Sequence, residues 1–294
     1  MATQATHRHA INNILVATDF SPSSATAMRL AGSLAREQHS HLWVAHVAET
    51  STLDLELAQP VSTALQSVQH EMQDFISATC PDSIPCQVLI EAGDLWNVLS
   101  HMVDDHHIDL IVTGTHGRNG LGRALLGSAA ELIVHNASCP VLTVSAQAEA
   151  SRAILRIVFP TDLSAATTLA LPYAIEIANQ NNAQLVFVHL LNGAPGAPLD
   201  YPDGTSTPDE QYAEAMSAMK ELLPDDSAFR RSPELIIQAD APADGVLRIA
   251  KELAADLIIM PVRHRTTLTR SRRPWSTVSR ILAHAPCPVL TIAG

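Results

Sequence analysis

A chain of 294 residues is long enough for two domains of ordinary size, and at 47% hydrophobic and 16% charged it reads as globular, with a core of Ala, Val, Ile and Leu and few aromatics. Its formal net charge of −12 argues against a general nucleic-acid binder, which needs a basic surface. No apolar run reaches the roughly 18–20 residues of a membrane helix, and four cysteines are too few for a disulfide scaffold.

In chain order, Met1 to Ala10 carries His and Arg with no signal-type apolar block behind it, so a cytoplasmic protein is expected. The run Ile14-Leu15-Val16-Ala17 reads as a strand ending at Thr18-Asp19. Ser21-Pro22 then supplies an N-cap and a proline at the first helical position. Ala25, Met28, Ala31, Leu34 and Ala35 fall on one face of the helix that follows. His41 to Val47 is a second strand. The stretch Glu49–Pro60 is a long connection, read as a surface insertion, before a helix through Ala64, Leu65, Val68, Met72 and Phe75. Cys80 and Cys86 flank a loop with no clustered His, which makes zinc improbable. A third strand leads to Gly93, a helix spans Leu95 to Asp105, and Asp109 to Thr113 is a fourth strand. A last helix runs from Ser128 to His135, with Ser128 and Glu131 placed to form a capping box. Cys139, before Pro140-Val141-Leu142, reads as a small buried apolar residue.

The order then repeats. Ile14 to Ser21 recurs as Ile157 to Ser164, His41 to Val47 as Gln184 to Leu190, Asp109 to Val112 as Asp256 to Ile259, and Cys139-Pro140-Val141-Leu142 as Cys287-Pro288-Val289-Leu290. The spacing between copies stays between 143 and 148 residues, so this is a duplicated domain with its junction near Gln147–Arg152 and units of 1–148 and 149–294. The apolar runs are short and continuous, as in parallel strands buried on both faces. The predicted fold is α/β: two tandem, doubly wound, mainly parallel five-stranded sheets. Ligands of such sheets sit at the carboxyl ends of the strands, where Asp19, Val47, Gly93 and Gly114 all fall.

One motif stands at that edge. Gly114-x2-Gly117-x9-Gly127-Ser128 joins the fourth strand to the last helix. Glycines let backbone N–H groups approach an anion, and a helix start adds unpaired donors and the positive end of its dipole. The spacing is neither a Walker A loop, since no Gly-Lys-Ser/Thr follows, nor the dinucleotide G-x-G-x-x-G. Each residue also has a plain structural reading: Asp19 as a turn former, the glycines as tight turns, Ser128 as a cap.

The motif matches at all four positions the G-x2-G-x9-G-(S/T) pattern of the ATP-binding branch of the universal stress protein family, which the chain resembles over its whole length, twice. The resemblance implies an adenine-nucleotide-like sheet fold and ATP, with Mg2+ nearby, as ligand. Asp19 matches the aspartate beside the adenosine, and Val47 the position whose backbone recognises the adenine edge. Gly114 and Gly117 would line the ribose and phosphate turn, Gly127 and Ser128 would hold the phosphates, and Arg118 and Arg123 lie in the loop between. The resemblance further implies a regulatory module in the stress response that engages a protein partner rather than an enzyme with catalytic residues. A nucleotide-free dimerisation scaffold and a slow ATPase are the alternatives. Single-domain members dimerise through their last strand. The strands Pro140–Val144 and Pro288–Ile292 are therefore expected to pair internally as a pseudo-dimer, with a homodimer through other surfaces.

The second copy departs from the motif. Alignment puts Pro261 opposite Gly114, His264 opposite Gly117, Trp275 opposite Gly127, Ser276 opposite Ser128 and Asp240 opposite Gly93. Proline has no N–H to offer a phosphate, so ATP binding is expected to be lost or altered there. Leu191–Pro208 is a second long connection. Arg263, Arg265, Arg270, Arg272 and Arg273 crowd the loop, read as a surface that pairs with acidic groups or as an anion site.

Overall fold

The computed structural model describes residues 11–48, 61–80, 84–117, 126–148, 153–191, 207–262 and 273–293. Arg118, Arg123, His264 and the arginines from 263 to 272 lie outside the described residues, as do residues 49–60 and 192–206 of the two long connections.

The first copy runs β1 (Asn13–Ala17), α1 (Pro22–Gln38), β2 (His41–Ala48), α2 (Val61–Thr79), β3 (Cys86–Ala92), α3 (Leu95–Asp105), β4 (Leu110–Gly114), α4 (Ser128–Asn136) and β5 (Val141–Val144). The second repeats it as β6 (Arg156–Thr161), α5 (Ala165–Asn181), β7 (Gln184–Leu191), α6 (Pro208–Leu222), β8 (Glu234–Ala239), α7 (Pro242–Glu252), β9 (Leu257–Val262), α8 (Arg273–His284) and β10 (Val289–Ala293). A short 3₁₀ turn at Asp226–Ala228 precedes β8.

The two five-stranded halves join into one ten-stranded sheet, ordered β3-β2-β1-β4-β5-β10-β9-β6-β7-β8. Every pairing is parallel except the seam, where Val289, Leu290 and Thr291 of β10 run antiparallel to Thr143, Leu142 and Val141 of β5. The expected internal pairing of these strands is therefore present. Two buried threonines close it symmetrically: Thr143 Oγ1 donates to Val289 O (3.2 Å) and Thr291 Oγ1 to Val141 O (3.1 Å). Both hydroxyls are satisfied without water, and neither β5 nor β10 is left as an open edge.

Alternate residues along each strand point to opposite faces. Ile14, Val16, Val112 and Ile259 join the layer under α1, α2, α5 and α6, whereas Leu15, Ile111, Val158 and Ile258 join the layer under α3, α4, α7 and α8. Each apolar layer includes residues of both halves. In α1 the buried stripe is smaller than the periodicity suggests. Ser23, Ser24, Ala27, Met28, Ala31, Gly32 and Ala35 are buried, while Ala25 and Leu34 are half-buried. Small residues on the buried stripe bring the helix close to β4.

Candidate functional site

The site begins at the turn after β1. Ser21 caps α1, its hydroxyl accepting from Ser24 N, and Asp19 Oδ1 accepts from Ser21 N (3.1 Å) and from Ser24 Oγ (2.6 Å). Phe20 between them takes a left-handed φ of 63°. Its N–H donates to Thr18 Oγ1 (2.9 Å), and its ring stacks on His46 of β2. Val47, one residue further along β2, is half-buried and in register with Glu91 of β3.

The glycine turn packs directly against this corner. A Cβ on Gly114 would collide with Ser23 Oγ and stand 2.7 Å from Ser24 N, so Gly114 is glycine because α1 passes against its backbone. The carbonyl of His116 accepts from Ser23 Oγ and from Ser21 Oγ (3.1 Å), which ties the turn to the start of α1. A Cβ on Gly117 would stand 2.9 Å from Asp19 Oδ2. Gly127 folds back on the turn: its N–H donates to Thr115 O (2.8 Å), and a Cβ on it would lie 3.4 Å from Gly117 N. Asp19, Gly114, Gly117, Gly127 and Ser128 are thereby brought to one corner of the sheet, with Val47 on the strand beside it.

The expected capping box does not form. Gly127 is the N-cap of α4 and has no side chain to cap with, so Ser128 is the first helical residue. Glu131 instead turns across the seam and accepts from Ser279 Oγ of α8 (3.2 Å). The consequence is chemical: Ser128 is exposed, and among the described residues no side chain caps the first N–H groups of α4. His116, beside them, bonds Thr115 Oγ1 through Nδ1 (2.8 Å), and its buried Nε2 has no partner among the described residues. Burial first, then the nearby His284 of the second half, lowers its pKa. Its place in the site was missed from sequence, although it stands inside the motif.

The cysteines do not contribute. Cys139 is pushed up to about 11, mainly by burial, and Cys287 is buried, so both behave as small apolar residues. Cys80 and Cys86 approach each other, and burial raises both thiols. Among the described residues no group of three or more His, Cys, Asp or Glu is arranged to hold a metal ion, and no helix is long and apolar enough to cross a membrane.

At the matching corner of the second half, strand register confirms the alignment: Pro261 pairs with Ile292 as Gly114 pairs with Val144. Asp240, in the place of Gly93, is 5% exposed and bonded by Arg248 Nη2 (3.1 Å) and Ala241 N (2.7 Å). The helix start differs from expectation. Relative to Cys287, Trp275 and Ser276 match Gly127 and Ser128, yet α8 already begins at Arg273. Trp275 and Ser276 therefore lie inside the first turn of α8 instead of at its cap.

A mainly parallel sheet with helices on both faces and a glycine turn at its carboxyl edge defines an α/β protein of the doubly wound kind. A profile of the Universal stress protein family matches residues 10–145 and again residues 154–293, and the chain belongs to that family. A stretch of 140 residues is 36% identical to universal stress protein A homolog 1 of Coxiella burnetii, covering 45% of this chain and 94% of the relative. A universal stress protein of Mycolicibacterium smegmatis is 24% identical over 295 residues, 95% of this chain and 96% of the relative. The crystal structure of a universal stress protein from Archaeoglobus fulgidus shares the fold, with a TM-score of 0.64 at 18% identity over 97% of both chains.

Proposed function

We propose that the first unit, residues 1–148, binds one adenine nucleotide, ATP with Mg2+, and that the second, residues 149–294, does not. The observation that carries this is the closure of the motif on itself. Gly117 and Gly127, separated by nine residues in sequence, meet at a helix start whose N-cap residue, Gly127, brings no side chain to cap it. In this reading the Val47 backbone meets the adenine edge and Asp19 the ribose. Gly114 and Gly117 shape the turn, while Gly127, Ser128 and the α4 N–H groups take the phosphates, with Arg118 adding charge. The phosphates and the Ser128 hydroxyl would share the metal ion. The chain is then a nucleotide-dependent regulatory module of the stress response, acting in the cytoplasm on a protein partner and associating further as a homodimer.

The nucleotide-free scaffold is the second reading. It is favoured by Gly114, whose identity the packing of α1 explains without a ligand. Heat release of small molecules from the purified protein, followed by mass spectrometry, separates the two. One adenine nucleotide per chain supports the proposal, two per chain overturn its asymmetry, and none even after incubation with ATP leaves the scaffold. Phosphate release over hours distinguishes binding from slow hydrolysis. Gly127→Trp, which places an indole in the phosphate volume, is expected to weaken ATP at least a hundredfold in calorimetry, and an unchanged affinity removes this loop from the site.

A further inference from the structure

The second half has a cavity of its own. It encloses about 960 Å³ at the carboxyl ends of β6, β7 and β9, beneath α6, α7 and α8, a size typical of small-molecule sites. The strands explain its position. In the first half β1 and β4 pair at four residues, from Ile14↔Leu110 to Ala17↔Thr113. In the second half the same ladder stops after Ile157↔Leu257 and Val158↔Ile258. Pro160 and Pro261, neither of which has an N–H to give, stand beyond that point. The cavity opens where the ladder ends.

Its walls are largely apolar, with Val188, Leu190, Val246, Met260, Ile281 and Ala218 prominent. No Lys or Arg is among the described residues that line it, while Asp162 and Glu214 are. Two polar atoms on its lining are buried with no hydrogen-bond partner among the described residues: Ser164 Oγ and Gln211 Oε1. Ser164 is the N-cap of α5, yet its hydroxyl makes no cap bond, whereas Ser21 at the matching position caps α1. A buried amide oxygen left unpaired is costly, and the residue is explained if something brings it a donor. A phosphate is a poor source of that donor, because the carboxylates of Asp162 and Glu214 line the same space and Pro261, without an N–H, stands where the first half has Gly114.

We infer that the second half holds an uncharged, largely apolar small molecule that gives an N–H or O–H hydrogen bond to Gln211 Oε1, in a pocket distinct from the first half's nucleotide corner. The inference does not depend on the nucleotide reading. Two fluorescent probes of one skeleton test it on the full chain: N-phenyl-1-naphthylamine, which is neutral and carries one N–H, and its sulfonated relative 8-anilinonaphthalene-1-sulfonate. The neutral probe is expected to bind once per chain, at least tenfold more tightly than the sulfonate, and saturating ATP should leave it in place. Ala218→Trp, from the half-buried face of α6, should remove its binding, and Gln211→Leu should weaken it about tenfold with the circular dichroism unchanged. Gln211→Leu keeps the test in force if the tryptophan unfolds the half. A sulfonate bound as tightly as the neutral probe would transfer the site to the arginines between 263 and 273 and overturn the proposal. So would displacement by ATP, or neutral-probe binding indifferent to both substitutions.

Discussion

The turn after β1 and the turn after β6 are nearly the same object. Leu163 repeats the left-handed φ of Phe20 (58° against 63°), and Asp162 Oδ1 accepts from Ser164 N as Asp19 Oδ1 accepts from Ser21 N. His189 Nδ1 meets Thr161 O at 2.9 Å as His46 Nδ1 meets Thr18 O at 2.8 Å. Asp256 bonds Leu155 N and Arg156 N as Asp109 bonds Asn12 N and Asn13 N. What recurs in both halves belongs to the fold, including the strained φ and much of what Asp19 does. At the working corner of each copy the differences are Gly114 against Pro261, Gly93 against Asp240, and Ser23, whose hydroxyl bonds the His116 carbonyl, against Ala166. A duplicated chain thus separates what the fold requires of both halves from what one half alone carries, without any second protein.

The largest way to break this comparison is Gly114→Val. Its side chain has nowhere to go against Ser23 and Ser24, and a loss of about 3 kcal/mol in urea unfolding is expected. Pro261→Val, at the matching position, is expected to be nearly neutral; equal losses would mean that α5 sits as close to its sheet as α1. Next comes the charge that replaced Gly93. Arg248→Met strands the Asp240 carboxylate, which is 5% exposed. Because the Arg248 side chain is itself 40% exposed, the cost is expected at about 2 kcal/mol, below that of a fully buried pair. Adding Asp240→Gly should recover most of it, and no recovery would show that the stability came from packing of the arginine stem.

Asp19→Ala and Asp162→Ala should each cost about 1 kcal/mol, since each removes a turn hydrogen bond of the same kind. Only the first should also weaken ATP, about tenfold by calorimetry. If both leave nucleotide affinity alone, Asp19 is architectural in both halves. The smallest effect concerns His116. Its folded pKa lies below its ordinary 6.5, so it takes up a proton more readily unfolded than folded. Its contribution is present above that pH and is lost as pH falls below it. Unfolding midpoints from pH 8 to 5 should therefore drop less in His116→Gln than in the parent, and parallel curves would remove His116 from the pH dependence.

Much of the candidate site was legible because it depends on local order along the chain. The motif spacing, the strand before it and the helix after it all follow from residues close in sequence. The capping box was misread because Ser128 and Glu131 have the right spacing for one. Which residue becomes the cap depends on Gly127 N being held by Thr115 O, twelve residues back across a fold of the chain. The early start of α8 is marked in the sequence by Pro274 in its first turn, whereas counting from Cys287 carries only register, not helix boundaries.

By itself the sequence determined the duplication and the α/β layering, because apolar periodicity and repetition are properties of a linear string. It also placed Pro261 opposite Gly114, which the ladder register bears out. The family resemblance already implied that the last strands pair; only tertiary structure decided that they run antiparallel and are closed by two threonines. Only tertiary structure gave Gly114 its packing reason, and only it opened a cavity where two prolines, 101 positions apart by number, end the β6–β9 ladder together. Each of these depends on which backbone meets which across the fold, and distances between residues remote in sequence are settled when the chain packs.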